Sequence, residues 1–221
     1  MRASLDAIFF DNDGVLVDTE PLFLRATQEI LAGVGLEVTA ELYHDVSMRQ
    51  GRSVFDLVRA PADEILRLRE SRSRRYAELI DEGVVVLDGV RETLARLHGE
   101  LPLAIVTSSS RDHFDRIHDQ TGLVPYFEFV VADGDYTDHK PHPEPYRVAA
   151  ERLGVDPARC LVIEDTERGL VSATRAGMTC IAIPNALTRH ANFESAHHVL
   201  DTMHDLLPHL GLDRPPPEPT P

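Results

Sequence analysis

The chain has 221 residues, 43% of them hydrophobic and 27% charged, an ordinary soluble composition with enough length for one full core or one core plus a small inserted domain. A formal net charge of -15 argues against nucleic-acid and anionic-membrane partners, and it obliges any anionic substrate to find local positive charge. No apolar stretch approaches the roughly 20 residues of a membrane-spanning helix, and the amino terminus lacks the regions of a signal peptide, so a cytoplasmic protein is expected.

The first apolar run, residues 5–10, stops abruptly at Asp11-Asn12-Asp13-Gly14. Residues at i and i+2 of an extended segment point the same way, so Asp11 and Asp13 face one small site just past the strand. Two like charges that close need a cation or a shared proton, and hard oxygen ligands at this spacing suit magnesium held with waters and a substrate phosphate. A strand followed by an Asx-rich turn is the competing reading. Residues 18–85 then break the pattern, being helical with no convincing strand, which predicts an inserted helical domain within a core built from 1–17 and 86–212. Pro61 can open the longest helix of the insertion. Its arginine run, Arg67, Arg69, Arg72, Arg74 and Arg75, reads as a solvated face paired with Glu64, Glu70 and Glu78. Arg72 is the member singled out as a possible contact for a second anionic group of a substrate.

Asp88-Gly89 returns the chain to the core, where residues 91–98 form a helix with Leu94 and Leu97 on one face. A strand over 101–106 runs into Thr107, Ser108, Ser109 and Ser110, whose hydroxyls and amides suit phosphate oxygens or, alternatively, a helix cap before Arg111. Beyond a strand over 127–131, Lys140 sits between an acidic loop and two prolines, well placed to deliver a fixed positive charge. Asp133, Asp135, Asp138 and Glu144 mimic a calcium loop in spacing but lack its sixth-position glycine, so no calcium site is expected there. A helix over 144–153 closes at Gly154. A strand over 160–163 ends in a second carboxylate pair, Glu164 and Asp165, and a helix over 167–176 closes at Gly177 before a strand over 179–183. Strand and helix alternating in this way imply a parallel sheet with helices on both faces, whose ligands bind beyond the carboxyl ends of the strands. Cys160 and Cys180 read as buried free thiols, the eleven histidines show no zinc spacing, and residues 213–221 read as a disordered proline-rich tail.

Four motifs thus follow strand runs in order: Asp11-x-Asp13-Gly14, Thr107-Ser108, Lys140-Pro141 and Glu164-Asp165. By them the chain resembles the haloacid dehalogenase superfamily, over nearly its whole length to about residue 210. The fold this implies is α/β, a Rossmann-like doubly wound parallel sheet core with an inserted α-helical cap domain. Asp18-Thr19-Glu20-Pro21 resembles the hinge into such a cap, and Gly51-Arg52-Ser53 the cap loop of the phosphatase and β-phosphoglucomutase branch. The activity implied is that of a magnesium-dependent phosphatase hydrolysing a small phosphorylated metabolite, such as a sugar phosphate or phosphoglycolate, through an aspartyl-phosphate. Asp11 would be the nucleophile and Asp13 the acid and base, with Thr107, the backbone at Ser108 and Lys140 holding the transferring oxygens. Magnesium would be bound by Asp11, the carbonyl of Asp13 and Asp165, with Glu164 sharing that site directly or through water. Thr19, Arg52, Ser53 and Ser109 are the further substrate contacts, and a monomer is expected.

The resemblance also frames the alternatives. A β-phosphoglucomutase shares the aspartate pair, the hinge threonine and the lysine motif, but carries a cap histidine where this chain has Phe23 and an arginine a little beyond Ser53, whereas here arginine falls at Arg52. That favours hydrolysis. True haloacid dehalogenases use no carboxylate at the position of Asp13 and need no metal, and a catalytically silent binding protein is disfavoured because every reacting group is present. Two residues depart from the family pattern, Asn12 where an apolar residue is usual and Thr166 where serine often stands.

Overall fold

The structure, a computed structural model, describes residues 5–212, so the tail expected at 213–221 lies outside the described residues. Strand β1 (Ala7–Phe10) is apolar and buried at every position, as a central strand covered on both faces must be. It pairs in parallel with β2 (Leu103–Ser110) on one side and β4 (Cys160–Glu164) on the other, Ile8 lying opposite both Leu103 and Leu161. β3 (Phe129–Asp133), β5 (Thr179–Ala182) and β6 (His198–Val199) complete a wholly parallel sheet in the order β3-β2-β1-β4-β5-β6. The chain runs outward from β1 through β2 to β3, then restarts at β4 on the opposite side. The crevice beyond β1 and β4 is therefore the topological switch point, where ligands of open α/β sheets bind.

Period-2 alternation divides the core into two layers. Ile8 and Phe10 pack with Leu94 and Leu97 of α4 (Val90–Leu97) and with Phe114 and Ile117 of α5 (Arg111–Thr121). Ala7 and Phe9 pack on the other face with Tyr146 and Ala149 of α6 (Glu144–Leu153) and Leu170 and Ala173 of α7 (Glu167–Arg175). Between β1 and α4 lie α1 (Glu20–Ala32), the short α2 (Ala40–Tyr43), a wide turn at His44–Arg49, a tight turn at Val54–Leu57, and α3 (Ala62–Glu82), which starts just past Pro61. Leu24, Leu31, Val38, Tyr43, Val46, Val54 and Phe55 form a separate apolar cluster within that helical segment. The final short helix, α8 (Leu206–His209), returns Leu206 to the first layer.

Several boundaries differ from the sequence expectation for local reasons. β2 continues through the hydroxyl cluster to Ser110, with a register irregularity between Val106 and Ser110. β6 was not expected, being two exposed residues that offer no apolar run. Helix α5 begins where the competing reading of the hydroxyl cluster placed a cap: Ser110 Oγ accepts from the His113 amide at 3.4 Å. Cys160 and Cys180 are buried free thiols, and among the described residues no helix is long and apolar enough to cross a membrane. Phe9 is fully buried at the centre of its layer. Phe9→Ala is expected to cost about 3–5 kcal/mol in a denaturant titration, the transfer and cavity cost of deleting a buried ring.

Candidate active site

The turn after β1 is closed by backbone bonds: the Asn12 carbonyl accepts from the amides of Leu16 at 2.8 Å and Val17 at 3.2 Å. Gly14 takes φ 82°, and a Cβ there would lie 2.3 Å from Asp165 Oδ2, so both conformation and space demand glycine. This turn aims Asp11 and Asp13 into one cavity of about 400 Å³. Thr19 Oγ1 donates to Asp13 Oδ1, while Ser109 Oγ at 2.8 Å and Thr107 Oγ1 at 3.2 Å donate to Asp13 Oδ2. Three hydroxyls from two separate segments thus hold one carboxylate.

Asp11 is held differently. Lys140 Nζ, 5% exposed, lies 2.7 Å from Asp11 Oδ1, 2.7 Å from Glu164 Oε1, 2.9 Å from the Val106 carbonyl and 3.1 Å from the Tyr146 hydroxyl. Glu164 is saturated. Its Oε1 also accepts from Tyr146 OH at 2.7 Å, and its Oε2 accepts from the amides of Asp165 and Thr166 and, at 3.0 Å, from Thr166 Oγ1. Asp165 Oδ2 accepts from Asn185 Nδ2 at 2.8 Å, which also donates to Glu20 Oε2 at 3.0 Å, whereas the buried Asp165 Oδ1 has no partner among the described residues.

The charges explain the protonation tendencies. Burial pushes the Asp11 carboxyl above its ordinary value, and the neighbouring charges of Glu164 and Asp13 add to this against Lys140. Asp165 is raised in the same way, by burial and then by Glu20, Glu164 and Asp11. Glu20, buried first and repelled second, is pushed up to about 7. Burial works upward on Glu164, but Lys140 and the hydrogen bonds from Tyr146 and Thr166 together leave that carboxyl low. One ammonium facing so many carboxylates leaves a site short of positive charge. Oxygens of Asp11, Glu164 and Asp165 lie within 4.8 Å of one another, and the orphaned Asp165 Oδ1 is an unmet acceptor, so Asp11 and Asp165 fit a hard divalent cation beside the already saturated Glu164.

Of the residues expected at the site, Asp11, Asp13, Thr19, Ser108, Ser109, Lys140, Arg52 and Ser53 all line this cavity. Thr107 is fully buried behind Asp13, and Glu164 and Asp165 lie fully buried at the carboxyl end of β4. The arginine run divides. Arg67, Arg69 and Arg75 pair with Asp63, Asp56 and Glu29, and Glu78 also pairs with Arg75, so the partners differ from the expected set at all but Glu78. Arg72 lines the cavity, its guanidinium 4.1 Å from the centre of the Phe23 ring and its Nε without a partner among the described residues. Sequence reasoning missed Arg168, Glu20, Asn185 and Tyr146. Asn185 follows the end of β5 and obeyed the strand-end rule that found the others. In the acidic loop Glu144 accepts from the amides of Thr137 and Asp138, and Asp135 pairs with Arg111 of α5 and Arg152 of α6.

The chain matches the family model described as haloacid dehalogenase-like hydrolase over residues 8–183. It is 34% identical to Protein CbbY of Rhodobacter capsulatus, across 87% of this chain and 91% of that one. It is 31% identical to fructose-1-phosphate phosphatase YqaB of Escherichia coli, across 80% of this chain and 95% of the relative. A crystal structure of a CbbY variant from Rhodobacter sphaeroides in complex with xylulose-(1,5)bisphosphate superposes with a TM-score of 0.80 at 28% identity, over 91% of this chain and 96% of that one. Fold and relatives define a phosphoric monoester hydrolase. The chain belongs to the haloacid dehalogenase-like hydrolase family, in its phosphatase and mutase-like branch.

Gly169, in the first turn of α7, makes room for the Glu164 carboxyl, and a Cβ there would lie 1.8 Å from it. Gly169→Ala is expected to displace Glu164 and Lys140 together, lowering stability by about 1–3 kcal/mol in thermal melts and lowering turnover by more than the lost folded fraction explains.

Proposed function

We propose that the chain is a magnesium-dependent phosphatase that hydrolyses a small phosphorylated metabolite through an aspartyl-phosphate on Asp11. The observation that carries this reading is the shared cavity in which Asp11, fixed by buried Lys140, lies beside Asp13, fixed by three hydroxyls. Asp11 attacks phosphorus, and Lys140 holds its carboxylate in one orientation while offering positive charge to the transferring oxygens. Asp13 protonates the departing alcohol oxygen and then takes a proton from the water that hydrolyses the intermediate. The hydroxyls of Thr19, Thr107 and Ser109 can turn from donor to acceptor as that proton comes and goes. Ser108 and Ser109 face the phosphate from the end of β2.

Asp11, Asp165 and the Asp13 carbonyl would hold magnesium. When bound, the ion neutralises carboxylates and phosphoryl oxygens alike. Glu164 has both oxygens taken by donors, so its part is to place Lys140 and to hold Thr166, whose hydroxyl caps the first turn of α7. In the same reading residues 18–85 act as a cap over the core formed by 1–17 and 86–212, and Arg52 and Ser53 reach the substrate from the cap side.

The cavity suits a small ester with a second anionic group. Arg72 and Arg168 both line it, both leave a buried Nε without a partner among the described residues, and neither forms an ion pair with a described carboxylate. In a chain with 37 acidic residues, unpaired guanidinium groups at a cavity are apt anion receptors. A sugar phosphate or sugar bisphosphate fits this arrangement, in keeping with the substrates named for the relatives. Phe23 lines the cavity where a mutase of this branch carries histidine, which favours hydrolysis.

Phosphate release measured over a metabolite panel should require magnesium, vanish in chelator and be inhibited by calcium, whose looser coordination misplaces in-line attack. Asp11→Asn should abolish turnover while circular dichroism stays native; full activity in chelator, or in that variant, would refute the reading. Arg72→Ala should raise KM about 10- to 100-fold for esters carrying a second anionic group, the worth of a charged hydrogen bond, with esters lacking it changed far less.

A further inference from the structure

Asn12 separates the two catalytic aspartates, yet its side chain leaves their cavity. It is fully buried, and its Oδ1 meets His118 Nε2 of α5 at 2.8 Å. His118 is itself buried, and its Nδ1 meets Thr121 Oγ1 at 2.8 Å, while Thr121 Oγ1 accepts from the Leu123 amide at 3.3 Å. These contacts assign the protons. With Oδ1 as acceptor, the ring proton sits on Nε2, and Nδ1 accepts the Thr121 hydroxyl proton. Burial pushes His118 down to about 4, so the imidazole stays neutral.

The arrangement is costly. Asn12 Nδ2 is buried with no partner among the described residues, and an unmet buried donor costs more than one hydrogen bond returns. Two apolar side chains would fill the same space without that loss, so stability does not account for the pair. Its location does. The Asn12 carbonyl closes the turn that carries Asp11 and Asp13. Helix α5 starts two residues after Ser109, which donates to Asp13, and Ser110 caps its first turn. The β2–α5 segment therefore grips the catalytic turn twice, through Ser109 near the end of β2 and through His118 near the end of α5.

We infer that Asn12 and His118 form a positioning pair that fixes the register of Asp11 and Asp13 against helix α5. The inference rests on the phosphatase reading above and adds to it a role for residues that touch no substrate. A displaced turn misplaces nucleophile and acid together, so the loss falls on kcat and on the cation site rather than on substrate affinity.

The test compares wild type with H118L, H118Q and the double variant N12L/H118L, using 4-nitrophenyl phosphate and the best ester of the panel, with melting temperature and magnesium calorimetry alongside. H118L is expected to lose about tenfold in kcat with KM within about twofold. H118Q, which keeps an N–H at the reach of Nε2, is expected to return to within about threefold of wild type. The decisive case is N12L/H118L, whose matched apolar pair should melt at or above wild type while its kcat stays low and its magnesium affinity falls several-fold. That variant also covers the case in which H118L alone fails to fold. Wild-type kcat and magnesium affinity in the double variant would overturn the inference, as would undiminished kcat in H118L. Absence of phosphate release from wild type would sink the phosphatase reading instead, and the magnesium affinities would still decide the positioning role.

Discussion

A lysine ammonium that is 5% exposed survives only where anions and acceptors replace its water, and Lys140 has Asp11, Glu164, the Val106 carbonyl and Tyr146 around it. Those partners come from β1, β2, β4 and α6, so the contact exists only when the parallel sheet is in register and α6 is docked. Lys140 in this way reports correct assembly of the core at the point where chemistry is expected. The reverse dependence also holds: without the ammonium, Asp11 and Glu164 would lie buried and mutually repelled. The sheet cannot be rearranged without exposing that conflict.

Environment, not identity, distinguishes the carboxylates. Asp13 faces hydroxyls that can donate or accept, Glu164 faces donors on both oxygens, Asp165 keeps one oxygen unmet, and Asp11 has Lys140 on one oxygen only. In the proposed mechanism each arrangement suits a different task for the same functional group: proton exchange, structural anchoring, cation binding and nucleophilic attack. Glu20 and Asp165 share the Asn185 amide, so the start of the helical segment is tied to the same acidic cluster.

Most of the core was legible in the sequence because parallel strands read as apolar runs and ligand-binding residues follow their ends. Five of the six strands described were read as apolar runs, and Asp11, Asp13 and Asp165 lie just past strand ends, while Thr107 falls within β2 and Glu164 closes β4. What stayed hidden are pairings, since sequence gives a residue's type and its place on an element but not its partner across the fold. Asn185 and Glu20 are 165 positions apart, and Asn12 and His118 are 106 apart. Asn12 was visible as a departure from the family pattern, but nothing local announces that a histidine on a mostly polar helix receives it. Arg72 and its neighbours illustrate the same limit: helical spacing places them on α3, and only the docked structure separates the one stacked on Phe23 from those paired in solvent.

Helix α5 connects these observations. Along one side it receives α3, with His113 Nε2 3.2 Å from Ser73 Oγ, Arg116 Nη1 2.9 Å from Asp81 and Gln120 Nε2 2.9 Å from the Ile80 carbonyl. Inward it holds Asn12 through His118, and before its start Ser109 holds Asp13. Arg72 lies on α3 beside Ser73, so the residue proposed to face a second anionic group and the residues proposed to carry the reaction are referenced to one rigid element. A substrate contacting both Arg72 and Asp11 therefore spans a distance set by α5 and its docking, rather than by the loops that join the helical segment to the sheet. Under the proposed function, selectivity for ester length would follow from packing between two helices, with the chemistry at the strand ends unchanged.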